Sequence, residues 1–111
     1  MATTPANKLT AKVVKKLNEA GIFHWRQNNL PIFDPKLNGG YGAYRSHSGL
    51  KGVPDIICII NGQFVGIEIK AGSDRISADQ ALFKKRCERN GGKYLVVKKV
   101  EDVDILCLPK A

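Results

Sequence analysis

The chain has 111 residues, enough for one domain with a modest core but not for two. A formal net charge of +8 points to a polyanionic partner, nucleic acid ahead of an acidic membrane surface. No apolar run is long enough to span a bilayer and the N-terminus lacks a signal-peptide core, so a single cytoplasmic domain over residues 1–111 is expected.

Thr4-Pro5 reads as a helix cap followed by proline at the first helical position. Leu9, Val13, Leu17 and Ala20 then recur at helical spacing with Val14 beside them, and Gly21 ends the helix. The opposite face carries Lys8, Lys12, Lys15 and Lys16, either a phosphate-contacting face or a solvated one. Ile22 to Arg26 is a short strand candidate with Ile22, His24 and Arg26 on one side. His24 is read as a satisfied packing residue. From Gln27 to Gly52 the sequence turns to Asn, Pro, Gly, Ser and isolated aromatics without periodicity, which predicts a long loop. Within it Arg45, Ser46, His47 and Lys51 are suited to phosphate and base contacts.

The stretch from Gly52 to Lys70 is the most informative. Two β-branched runs flank Asn61-Gly62, the strongest short-range signal for a type I′ hairpin turn. That turn would set Ile60 opposite Gln63, Ile59 opposite Phe64 and, at the open end, Asp55 opposite Glu68. Lys70 shares their face because strand residues two apart point the same way. Opposed carboxylates destabilise a sheet unless something compensates them. A divalent ion with a preference for oxygen ligands, Mg²⁺ or Mn²⁺, would do so. The plainer alternative makes Glu68 and Lys70 a solvated edge and Asp55 a turn cap.

Beyond the hairpin, Ser77-Ala78-Asp79-Gln80 fits a capping box. The helix it opens has Ala78, Leu82 and Cys87 facing inward with Phe83 adjoining, and Gly91-Gly92 closes it. Tyr94 to Val97 reads as a buried strand, and Ile105 to Leu108 as a last strand or short edge element. Cys58, Cys87 and Cys107 are odd in number, widely spaced and set among apolar residues. They are read as reduced, buried hydrophobes and not as a zinc site.

Pro54-Asp55 followed on the next strand by Glu68-Ile69-Lys70 resembles the PD-(D/E)xK nuclease signature. Asp74-Arg75-Ile76-Ser77, leading into a helix with Gln80 one turn in, is similar to the VRR-NUC branch of that superfamily. The resemblance covers Gly52 to about Phe83. It implies an α/β fold with an αβββαβ core, a mixed β-sheet flanked by helices. It also implies Asp55 and Glu68 as metal ligands, with the carbonyl of Ile69 completing the shell. Lys70 would orient or deprotonate the attacking water, or stabilise the charged oxygen. Gln80 would aim its amide at the site, whereas the residue pattern alone makes it the partner of Ser77. Related nucleases often place another glutamate near the middle of the first helix. The only acid on this helix is Glu19 in its last turn, either the missing ligand or an i,i+4 partner of Lys15.

The resulting expectation is a metal-dependent, structure-selective DNA endonuclease similar to Holliday-junction resolvases, working as a homodimer on branched DNA. Lys12, Lys15, Lys16, Arg45, Lys51, Lys84 and Lys85 are the expected DNA-binding cations, and the Leu30 to Phe33 segment is the interface candidate. The alternatives are a sequence-specific or nicking endonuclease on the same core, or a basic DNA-binding module with a weakened site.

Overall fold

The computed structural model describes residues 4–27, 32–45 and 50–107. Helix α1 (Pro5–Glu19) begins where its cap predicts, with Asn7 N donating to Thr4 Oγ1 at 3.1 Å and Pro5 in the first turn. Leu9, Val13 and Leu17 are buried along one stripe, while Ala20 caps the C-terminus and stays exposed. Strand β1 (Phe23–Arg26) follows directly.

The region expected to be a loop contains a small hairpin of its own. Strands β2 (Ile32–Asp34) and β3 (Ala43–Arg45) pair antiparallel with each other and, among the described residues, with no other strand. Three-residue strands are too short to carry a readable period, which is why composition alone suggested irregular chain. Phe33 and Tyr44 meet across the hairpin with ring centroids 5.3 Å apart. Gly42 holds φ +88°, and a side chain there would collide with the Phe33 ring.

Strands β4 (Ile56–Ile60) and β5 (Gln63–Ile69) form the expected hairpin. Asn61 and Gly62 both take positive φ, 53° and 79°, as a type I′ turn requires. The pairs Ile60↔Gln63, Ile59↔Phe64 and Ile56↔Ile67 give the register read from sequence. Helix α2 (Ala78–Arg89) then crosses to strand β6 (Lys93–Val97), which lies parallel to β5. The sheet order is β1-β4-β5-β6, antiparallel except for its last pair. Leaving aside the small hairpin and the C-terminal turns, the chain runs helix, three strands, helix, strand. This is a mixed α/β arrangement in which helices flank a mixed sheet.

The two faces of the sheet differ in kind. Ile56, Cys58, Val65, Ile67, Ile69 and Val97 point to one side and bury against Leu9, Val13 and Leu17 of α1 and against Val103. Each such aliphatic side chain removed from water contributes about 1.5–3 kcal/mol, so this side carries most of the folding free energy. The other face lies under α2, which covers it lightly. No residue of α2 is buried; Ala78 is exposed and Leu82 is 56% exposed, contrary to the inward placement read from spacing. Phe83 makes the contact instead, its ring 6.4 Å from Phe64 and 5.9 Å from Tyr94.

After β6 a 3₁₀ turn (Val100–Val103) leads into a short helix α3 (Asp104–Cys107) where a strand was an option. Asp102 causes the turn: its Oδ2 accepts from Lys98 N and Lys99 N at 2.9 and 3.2 Å, which pulls the chain off the sheet. Cys58 is buried, whereas Cys87 and Cys107 are half-buried, and all three are free thiols. His24 is satisfied as predicted, with Nδ1 at 2.8 Å from Ile22 O. Among the described residues no helix is long and apolar enough to cross a membrane.

Candidate active site

Two glycines let the chain before β4 lie close against its neighbours. At Gly52, with φ +79°, a Cβ would sit 2.3 Å from the carbonyl oxygen of Asp79 in the first turn of α2. At Gly66 a Cβ would sit 2.5 Å from Pro54 Cγ. Pro54 is fully buried over β5 as a result, and the next residue, Asp55, is delivered to the strand end. Its carbonyl accepts from Gln27 N at 2.8 Å, tying it to the end of β1. Its carboxylate Oδ2 accepts from Ile69 N at 2.9 Å, tying it to β5.

Continuing the ladder one step beyond Ile56↔Ile67 brings Asp55 opposite Glu68, with Lys70 on the same face. Glu68 is only 3% exposed. One of its oxygens, Oε2, accepts from Gln80 Nε2 at 2.9 Å and lies 3.4 Å from Lys70 Nζ. The other, Oε1, is buried with no protein partner. Burial pushes the Glu68 carboxyl up to about 7, and the facing Asp55 charge adds to the rise, while Lys70 opposes it.

Gln80 serves two ends at once. Its Oε1 accepts from Ser77 N at 2.8 Å, and its own N–H donates to Ser77 Oγ at 3.2 Å, so the capping box is complete. Its Nε2 meanwhile holds Glu68. The helix cap and the contact to the acid, weighed as rivals on sequence grounds, are two ends of one amide.

A buried acid with one oxygen unpartnered, facing a second acid, fits a hard cation. Asp55 and Glu68 are the side chains that would hold it. Among the described residues no cluster of three or more His, Cys, Asp or Glu exists, so any remaining ligands would be the Ile69 carbonyl, water or a phosphate oxygen.

A structure described as a VRR_NUC domain aligns with 94% of this chain and 95% of its own, at a TM-score of 0.67 and 18% sequence identity. The fold is that of a VRR_NUC domain. No protein-family model matches the sequence, and no curated protein matches it either.

Other predicted residues fall outside the acidic cluster of this VRR_NUC-like fold. Glu19 is exposed and lies 3.9 Å from Lys15, the i,i+4 pair, so it does not complete the site. Lys12, Lys15 and Lys16 ride on α1, which covers the opposite side of the sheet, and Lys16 pairs with Asp104. Lys51 is exposed and lines an open groove of about 520 Å³ beside α2. Arg45 ends β3, while Ser46 and His47 lie outside the described residues, as do Leu30 and Pro31 of the interface candidate.

One residue of the acidic face was missed. Tyr94 pairs with Gly66 and therefore stands beside Glu68 on that face, 4% exposed, its hydroxyl buried without a protein partner. Burial, with Glu68 and Asp55 nearby, raises its pKa. Its position follows from the parallel pairing of β5 with β6, which no local pattern encodes.

Proposed function

We propose that this chain is a divalent-metal-dependent nuclease that hydrolyses phosphodiester bonds in DNA. One observation carries the reading: Glu68 is buried opposite Asp55 with Oε1 unpartnered and Lys70 Nζ 3.4 Å from Oε2. Carboxylates held like this gain most from a cation.

Asp55 and Glu68, with the Ile69 carbonyl, would hold Mg²⁺ or Mn²⁺. When bound, the ion supplies positive charge at the phosphate and makes a neighbouring water a better nucleophile. The chain's own residues do the positioning. The Ile69 N–H fixes the Asp55 carboxylate, and the Gln80 amide fixes Glu68. Lys70 sits beside the acids as the ammonium that meets negative charge gathering on the phosphate oxygens as the P–O bond breaks. The net charge of +8 supports a nucleic-acid substrate, whose phosphates reward lysine and arginine contacts.

We further propose a homodimer acting on branched DNA, as a Holliday-junction resolvase would. Each chain offers one acidic cluster, whereas resolving a junction takes two symmetric cuts, and a two-fold dimer supplies both. A second reading, a basic DNA-binding module with a weakened site, draws on the lack of a third acid among the described residues.

One panel tests these readings: linear duplex, flap, splayed-arm and four-way junction DNA, each with Mg²⁺, Mn²⁺ or EDTA, for the wild type and Glu68→Gln. Cleavage that needs the ion and Glu68 is the expected result, with the junction preferred. Cleavage surviving EDTA or Glu68→Gln overturns the assignment of the site. Binding without cleavage in any lane favours the module.

A further inference from the structure

The acidic face of the sheet does not stop at Asp55. Among the described residues strand β1 is an edge strand, paired only with β4, and its register sets Phe23 opposite Ile59 and Trp25 opposite Ile57. One step on, Gln27 N donates to Asp55 O at 2.8 Å. Directly opposed residues share a face, so Phe23, Trp25 and Gln27 stand on the same side as Ile59, Ile57, Asp55 and Glu68. The opposite side of β1 faces α1, where Ile22 packs against the core.

Phe23 is 68% exposed and Trp25 40%, with Ile59 beside them at 38%. The two rings lie 5.7 Å apart and tilted by 55°, so they do not cover each other's faces. Trp25 Nε1 donates to Gln27 Oε1 at 3.3 Å, which holds one edge of the indole toward the Asp55 end of the strand. Two exposed aromatics and an isoleucine on an open sheet edge are a liability in water unless they receive a partner.

We infer that Phe23 and Trp25 form a stacking platform for unpaired nucleotide bases, leading into the Asp55–Glu68 end of the sheet. This inference rests on the nuclease reading for its substrate. Three observations select nucleic acid over a protein partner: the platform is continuous with the acidic site on one sheet face, the chain carries +8, and the rings follow the strand in single file. Strand geometry puts Trp25 about 7 Å from the Asp55 level and Phe23 about 7 Å further along. That stride lets successive bases of an extended strand meet successive rings. Bases within a duplex already stack on one another and cannot use the platform. The substrate class is therefore DNA with an unpaired stretch next to the phosphate to be cut, as in flaps, splayed arms and open junction centres.

Trp25 is the chain's single tryptophan, so its fluorescence reports the platform directly. The 111-residue protein in EDTA, which withholds the metal that the proposed cleavage needs, is titrated with oligothymidylate and with a blunt duplex carrying the same number of phosphates at one fixed salt concentration. Oligothymidylate is expected to quench Trp25, and the duplex to quench it far less. In anisotropy with labelled oligothymidylate, Phe23→Ala and Trp25→Ala are expected to weaken binding at least about fivefold each, and Trp25→Phe much less. Because these side chains are exposed, the variants should melt close to the wild type. Unchanged Trp25 emission while anisotropy shows binding overturns the proposal, as does wild-type affinity in both alanine variants. A shift in oligomeric state on Phe23→Ala with unchanged oligonucleotide affinity assigns the patch to self-association and also overturns it. DNA cleavage by a protein whose Trp25 does not respond leaves the nuclease standing without the platform. Quenching by a protein that cuts nothing leaves the platform without the nuclease.

Discussion

Gln80 Nε2 lies 2.9 Å from Glu68 Oε2 while the same side chain's oxygen caps α2 through Ser77 N. The two contacts separate by substitution. Gln80→Glu keeps an oxygen for Ser77 N but removes the donor to Glu68 and brings a third acid to the cluster. Gln80→Ala removes both contacts. We expect Gln80→Glu to melt near the wild type yet lose at least about tenfold in metal affinity or cleavage. Gln80→Ala should lose activity and also about 1 kcal/mol of stability. Thermal melts beside metal titrations check both; full activity in Gln80→Glu would leave Gln80 as a cap only.

The acids tolerate amide replacement structurally. Asp55→Asn still offers an oxygen to Ile69 N, and Glu68→Gln still offers one to Gln80 Nε2. Both variants should fold, bind DNA with the wild-type salt dependence, and fail to cut. Lys70→Ala should cost about 10²–10³ in rate, the usual loss when one preorganised charge is removed. Asp55→Ala differs because it orphans the Ile69 N–H, adding about 1–3 kcal/mol of destabilisation. Cleavage gels run beside denaturant melts distinguish these outcomes, and a Lys70→Ala protein cutting at the wild-type rate would refute the role given to Lys70.

Glu68 makes the metal-free protein pH-sensitive in a definite direction. Its folded pKa stands at about 7 against an ordinary 4.5. Between those values the folded chain holds a proton that the unfolded chain has released, so stability falls as pH rises through the window. In EDTA the melting temperature should therefore drop more between about pH 5 and pH 8 in the wild type than in Glu68→Gln. Mn²⁺ competes with that proton, and its stabilising effect should grow over the same range. A wild type and Glu68→Gln with parallel pH profiles would contradict the burial assigned to this carboxylate.

Gly66→Ala tests how Asp55 is delivered. Its added methyl would sit 2.5 Å from the Pro54 ring, which has little freedom to yield. Overpacking of this kind costs about 1–3 kcal/mol. Displacing Pro54 also moves Asp55, so cleavage should fall further than the loss of folded protein explains. Specific activity per folded molecule, measured below the melting transition, is the readout.

The hairpin was readable because its information is local: Asn61-Gly62 fixes the turn, the turn fixes the register, and the register puts Asp55 opposite Glu68. The cap at Thr4-Pro5 and the box at Ser77 were readable for the same reason. What escaped depends on distant partners. Leu82 stays exposed because α2 rests on Phe83, a contact that exists only once Phe64 and Tyr94 are in place. Ile105-Leu106-Cys107 is apolar enough for strand or helix, and Asp102 decided the matter by capping the chain ahead of it. Phe23 and Trp25 alternate legibly with Ile22 and His24, but only the pairing of β1 with β4 reveals that their side of the strand is the acidic one.

Strand β5 runs seven residues between the two halves of the molecule, and its side chains divide between them by parity. Val65, Ile67 and Ile69 belong to the core against α1, while Glu68 and the following Lys70 belong to the open face. Selection on such a strand acts through two separate phenotypes in alternation. In a library randomised from position 65 to 70, scored in parallel for cellular abundance and for DNA cleavage, abundance should track the odd positions and Gly66, where an added side chain meets Pro54. Cleavage among the abundant variants should track 68 and 70. A lineage could lose its chemistry and keep its shape by changing Glu68 or Lys70 alone.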